Sequence, residues 1–154
     1  MTGMDAADAA MVQGFRPRGI LFLCVANSAR SQLAEGIARS IAPPGIAIYS
    51  AGSEPSRVRP EAIRVLAEIG IDISAHRAKG IAEIPASGVD LVITLCAEEN
   101  CPVGLGHARR LHWALPDPAA HGLPGQNDER LDAFRATRDE LRRRLAALFD
   151  GIAA

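Results

Sequence analysis

The chain has 154 residues, enough for one domain with a buried core, and no break in composition divides it. Seventeen Lys and Arg against eighteen Asp and Glu leave a net charge of −1, and one Trp, one Tyr and four Phe offer little to stack on bases, which excludes nucleic acid as the expected partner. Three cysteines make no disulfide framework, and the chain opens on neither a basic-apolar leader nor a spanning segment, so a cytoplasmic protein without membrane association is expected.

Residues 1–17, with no continuous apolar core, are expected to form a flexible tail ahead of a single catalytic domain over 18–154. The run Ile20-Leu21-Phe22-Leu23 predicts a buried strand. From Ser31 to Ile41, Leu33, Ile37 and Ile41 recur at helical spacing until Pro43-Pro44-Gly45 ends the pattern, and Ile46 to Tyr49 predicts the next strand. A second helix is expected from Pro60, suited to a first turn, through Ile63, Leu66 and Ala67 to a stop at Gly70. Between Gly70 and Gly88 one more short helix is expected, curtailed by Pro85. Val89 to Leu95 and Arg109 to Trp113 predict the third and fourth strands. The last helix is expected to begin near Asn127, with Asp128 and Glu129 in its first turn and Leu131, Phe134, Leu141, Leu145 and Leu148 on one stripe. This alternation predicts an α/β three-layer sandwich, a four-stranded parallel sheet flanked by helices on both faces.

In such a sheet the carboxyl ends of the strands line one edge, where ligands bind. That edge would collect Cys24, the stretch Ser50-Ala51-Gly52-Ser53, Cys96 and Asp117. Behind Cys24 the small residues let the backbone curl, so that N–H groups from Val25, Ala26, Asn27, Ser28, Ala29, Arg30 and Ser31 converge on a tetrahedral oxyanion. Arg30 adds a planar fork for two of its oxygens. A cysteine at a helix N-terminus beside an arginine is suited to act as a thiolate nucleophile. Two other arrangements fit parts of the pattern: a zinc site from Cys96, Cys101, His107 and His112, and an oxyanion-binding module without catalysis.

The C-x5-R-S motif from Cys24 to Ser31, joining strand to helix, together with Asp117-Pro118 far downstream, resembles the low-molecular-weight protein tyrosine phosphatase superfamily. The resemblance implies that family's phosphatase-like fold, with Cys24 as nucleophile, Arg30 and the loop amides holding the oxyanion, and Asp117 as proton donor. It also implies that Ser31 donates to the thiolate and that Asn27 holds the loop's shape.

Within the superfamily, Cys96 and Cys101 in Thr94-Leu95-Cys96-Ala97-Glu98-Glu99-Asn100-Cys101-Pro102, and His112-Trp113 before Pro116-Asp117-Pro118, resemble the thioredoxin-coupled arsenate reductases. That likeness implies a redox-active disulfide relay serving arsenical resistance. Cys24 forms a covalent adduct with arsenate, Cys96 attacks Cys24 so that arsenite leaves as a disulfide forms, and Cys101 takes over the disulfide. It implies no bound cofactor, arsenate or a phosphate-like oxyanion as ligand, and thioredoxin or another thiol as external reductant; no metal site is expected. The alternative is a phosphatase acting on aryl phosphates through a cysteinyl-phosphate. Ala119 stands where phosphatases place an aromatic residue to grip a phenol ring.

Three positions depart from the reductase pattern: the four-residue gap between Cys96 and Cys101 is short, Ala26 replaces a loop glycine, and Ala29 replaces an additional cysteine. Some members hold potassium beside the loop through an asparagine, a glutamate, a serine and an aspartate. The first three correspond to Asn27, Glu35 and Ser50, while Lys79 stands for the aspartate, so its ammonium is expected to take the cation's place.

Overall fold

Four apolar runs pair into one parallel sheet in the computed structural model, which describes residues 8, 10, 12–96, 106–120 and 128–153. The strands are β1 (Gly19–Cys24), β2 (Ala47–Gly52), β3 (Leu91–Cys96) and β4 (Arg109–Leu115), in the order β2-β1-β3-β4. β1 and β3 are buried at all six positions, as central strands covered on both faces must be, whereas edge strand β4 alternates. β2 runs three residues past the expected end at Tyr49, because Ser50, Ala51 and Gly52 pair with Phe22, Leu23 and Cys24. That extension brings Gly52 alongside the exit of β1.

Three α-helices accompany the sheet: α1 (Arg30–Ile41), α2 (Pro60–Ala67) and α3 (Asp128–Ala153). α2 stops short of Gly70 in a Schellman arrangement, in which Ile71 N–H donates to Leu66 O, Gly70 N–H donates to Ala67 O, and Gly70 takes φ +81°. Pro85 divides the stretch expected to hold one short helix into two 3-10 turns, Ile81–Glu83 and Ala86–Gly88.

The two faces are covered unequally. Leu33, Ile37, Val65, Leu66, Phe134, Leu141 and Leu145 of the α-helices pack with Ile20, Phe22, Leu91, Ile93 and Trp113 in one large core. On the other face Leu21, Leu23, Ala51 and Val92 pack with Ile84 and Val89, under the 3-10 turns. Part of the stretch expected as a flexible tail docks on the domain. Val12 is buried in the large core, Asp8 Oδ2 accepts a 3.0 Å hydrogen bond from Trp113 Nε1, and Phe15 lies 4.0 Å beneath the Arg109 guanidinium. The cause is Trp113, whose buried indole N–H needs an acceptor.

β1 stands between β2 and β3, so the crossover from β1 to β2 and the one from β2 to β3 run in opposite directions along the sheet. A crevice opens at the carboxyl end of β1 for that reason, and Cys24 is its last residue. Among the described residues no helix is long and apolar enough to cross a membrane.

Candidate active site

The loop from Cys24 to α1 is held from outside. Carbonyls of Val25, Ala26 and Ser28 accept hydrogen bonds from the N–H groups of Glu54, Ser56 and Arg59, at 2.9, 3.0 and 2.9 Å. In a trans peptide the C=O and the following N–H point in opposite directions, so fixing these carbonyls outward turns the N–H groups of Ala26, Asn27 and Ala29 the other way. α1 begins with no side-chain cap and no acidic residue in its first turn, which leaves its own amides for an anion. Only Asn27 has a left-handed backbone among the described non-glycine residues, at φ +50°. Asparagine tolerates that conformation, and Ala26 escapes it, so the methyl group in place of a glycine fits without strain.

Asn27 is completely buried and fully used. Its Oδ1 accepts from Lys79 N–H (2.8 Å) and Gln32 Nε2 (3.1 Å), while its Nδ2 donates to Ser31 Oγ (2.7 Å) and Ser50 Oγ (3.0 Å). Because Ser31 Oγ accepts from Asn27, its own proton is left for Cys24 Sγ, 2.8 Å away. A thiolate accepts such a bond. Ser50 in turn donates to Glu35 Oε1 at 2.5 Å. Behind Asn27, the buried Gln32 donates also to Asn27 O and Arg77 O and accepts at Oε1 from His76 Nδ1, 3.1 Å away. Burial holds the His76 pKa below the ordinary imidazole value; Glu35 opposes that shift, and Arg39 and Lys79 reinforce it.

Glu35 has its charge met from two sides, by Arg39 at 2.9 Å and by Lys79 Nζ at 3.6 Å. Lys79 Nζ also lies 3.4 Å from Ser50 Oγ and 3.0 Å from Arg77 O. A cation among Asn27, Glu35 and Ser50 would stand against that ammonium, so the donor set does not fit potassium. Exchanging sodium for potassium at constant ionic strength is expected to leave steady-state activity unchanged; a clear rise with potassium would show that a metal ion still enters.

A cavity of about 270 Å³ is lined by Cys24, Val25, Ala26, Ser28, Ala29, Arg30 and Asp117, so three of the residues singled out from the sequence as catalytic meet there. Arg30 is buried and donates through Nη1 to Leu115 O (2.9 Å), tying the cradle to the strand that precedes Asp117. Asp117 is half-buried and its Oδ1 accepts from Ala119 N–H, which braces the turn into Pro118–Ala120. Asn27 and Ser31 lie behind this cavity as supports. A larger cavity, about 800 Å³, opens between α1 and α3 beside Ile37, Ile41 and Arg142, and no thiol lines it.

Cys96 is buried at the end of β3, next to β1, where Leu23 pairs with Thr94. Ile93 and Leu95 face the α-helical core and Val92 the opposite one, so strand alternation sets Cys96 on the face away from α1. The β3–β4 register slips by one residue between Thr94 and Cys96. Cys101 lies outside the described residues. Of the zinc alternative's other members, His107 Nε2 donates to Ala86 O and Val89 O, and His112 Nδ1 lies 2.5 Å from Thr94 Oγ1.

Sequence reasoning missed Gln32, His76 and the segment that braces the loop from outside, and it gave Gly52 no role. A methyl group built on Gly52 would stand 2.4 Å from Val25 O and 2.8 Å from Asn27 N. The one available signal was Gln32 itself, an amide directly behind the anion motif.

The family described as low molecular weight phosphotyrosine protein phosphatase matches residues 19–154. An arsenate reductase of Bacillus subtilis (strain 168) is 40% identical over 128 residues, covering 82% of this chain and 91% of that protein. A solved arsenate reductase in the phosphate binding state superposes with a TM-score of 0.74 at 36% identity, covering 88% of this chain and 98% of the other. The Corynebacterium glutamicum thioredoxin-dependent arsenate reductase Cg_ArsC1' gives a TM-score of 0.67 at 26% identity, covering 96% of this chain and 67% of that one.

Proposed function

The chain belongs to the low molecular weight phosphotyrosine protein phosphatase family, and within it we propose that it is an arsenate reductase working through Cys24, Cys96 and Cys101. The observation that carries this reading is that Cys24 lines a small cavity with Arg30 and Asp117 while a second buried thiol, Cys96, ends the neighbouring strand. A phosphatase has no use for that second thiol. Ala119, in the turn after Asp117-Pro118, offers no ring to grip a phenol.

In the proposed cycle the Cys24 thiolate attacks arsenic while Arg30 and the loop amides hold the remaining oxygens, and a hydroxide leaves as water with a proton from Asp117. The Cys96 thiolate then attacks the Cys24 sulfur. The S–As bond breaks, its electron pair stays on arsenic, and arsenite departs. Cys101 attacks Cys96, releasing the Cys24 thiolate and leaving a Cys96–Cys101 disulfide. Since Cys96 belongs to the face away from α1, the end of β3 must turn for the second step. Thioredoxin is the reductant that fits this cycle best, and a reducing cytoplasm is the compartment in which three thiols stay ready.

The direct test is arsenate-dependent oxidation of NADPH through thioredoxin and its reductase. Sustained oxidation with arsenate, absent without it, is expected. Hydrolysis of an aryl phosphate with no arsenate-dependent oxidation would favour the phosphatase instead.

A further inference from the structure

The segment that braces the anion loop carries charge as well as hydrogen bonds. Its N–H groups at Glu54, Ser56 and Arg59 fix the loop carbonyls, so its backbone runs in direct contact with the cradle. Arg57 on it is exposed and Arg59 half-buried. Elsewhere arginines face carboxylates: Arg39 with Glu35, Arg77 with Glu83, Arg135 with Glu68 and Arg144 with Glu140. Arg57 and Arg59 make no ion pair among the described residues. A guanidinium stays charged at any physiological pH, so the segment presents two permanent cations against one carboxylate, Glu54. Neither arginine lines the cavity, so they act through the field rather than by contact, and at physiological ionic strength that field extends about 8 Å.

We propose that Arg57 and Arg59 form an electrostatic collar that draws a tetrahedral dianion toward Cys24 and favours it over ligands of lower charge. The collar rests on the oxyanion reading of the site and adds a group that reading does not use. It acts before binding, whereas Arg30, buried beneath the cavity and anchored on Leu115 O, acts on the bound ligand. Steering of this kind raises capture by about tenfold or more and fades with salt.

Cys24 itself reports on the collar. In the full-length reduced protein, its alkylation by anionic iodoacetate and by neutral iodoacetamide is followed by peptide mass mapping, with and without inorganic phosphate as protecting ligand. In R57Q/R59Q the iodoacetate-to-iodoacetamide rate ratio is expected to fall about fivefold at low salt, and half-protection to need about fivefold more phosphate. R57K/R59K keeps both values, R57Q alone gives a smaller shift of the same sign, and about 0.5 M salt removes the differences. An unchanged ratio in R57Q/R59Q, or a lysine pair as impaired as the glutamine pair, overturns the collar. Failure of phosphate to protect Cys24 in the unsubstituted protein would instead strike the oxyanion reading, since the rate ratio tests the collar without phosphate.

Discussion

Cys96→Ser is expected to end arsenate turnover while leaving the oxyanion cavity intact. Cys96 does not line that cavity, so the variant still binds phosphate over Cys24 and the Cys24 thiolate still attacks arsenate. Without a second thiol the covalent adduct has no route for two electrons, because serine does not form the S–S bond that releases arsenite. Steady-state NADPH oxidation through thioredoxin should therefore drop to background, a loss of about 10³-fold or more. Hydrolysis of an aryl phosphate, which needs only Cys24, Arg30 and Asp117, should remain at whatever level the unsubstituted protein shows. The two assays on one variant separate reductase from phosphatase. Undiminished arsenate-dependent oxidation in Cys96→Ser would remove Cys96 from the relay.

Gly52→Ala carries the second large effect, and it acts through the backbone of the cradle. The added methyl group would press on Val25 O and Asn27 N, both main-chain atoms that cannot rotate aside. The loop can yield only by moving off Gly52, which breaks the geometry set by the outer brace and by the four hydrogen bonds of Asn27. A displacement of about 1 Å in a preorganised site costs on the order of 10²-fold in kcat/KM. Phosphate protection of Cys24 against alkylation should weaken in parallel, and circular dichroism should report a folded sheet. Full activity with unchanged phosphate affinity would mean that the sheet, not the loop, absorbs the methyl group.

Much of this was legible in the sequence, and the reasons differ by element. β1 announced itself because a central parallel strand is apolar on both faces, and Cys24-x5-Arg30 directly behind it pointed to the loop that lines the small cavity with Asp117. The end of β2 was missed because Ser50-Ala51-Gly52 carries no strand pattern; its pairing with Phe22–Cys24 is a property of the neighbour. Asp8 and Val12 looked like tail residues because what they meet lies far along the chain: Trp113 for Asp8, and the last helix near Gly151 for Val12. The brace from Glu54 to Arg59 works mainly through backbone N–H groups, which every residue but proline possesses, so its side chains gave no hint of it. Lys79 was legible only as an odd residue at an expected acidic position; its approach to Glu35 and Ser50 is what gives the substitution a physical meaning.

The relay is tested most directly by counting and mapping thiols after a single arsenate turnover of the fully reduced protein with no external reductant. Acid quenching, alkylation and peptide mass mapping should find one alkylated cysteine, Cys24, and a disulfide joining Cys96 to Cys101. Three alkylated cysteines after exposure to arsenate, or a disulfide that leaves Cys101 alkylated, would contradict the three-thiol relay.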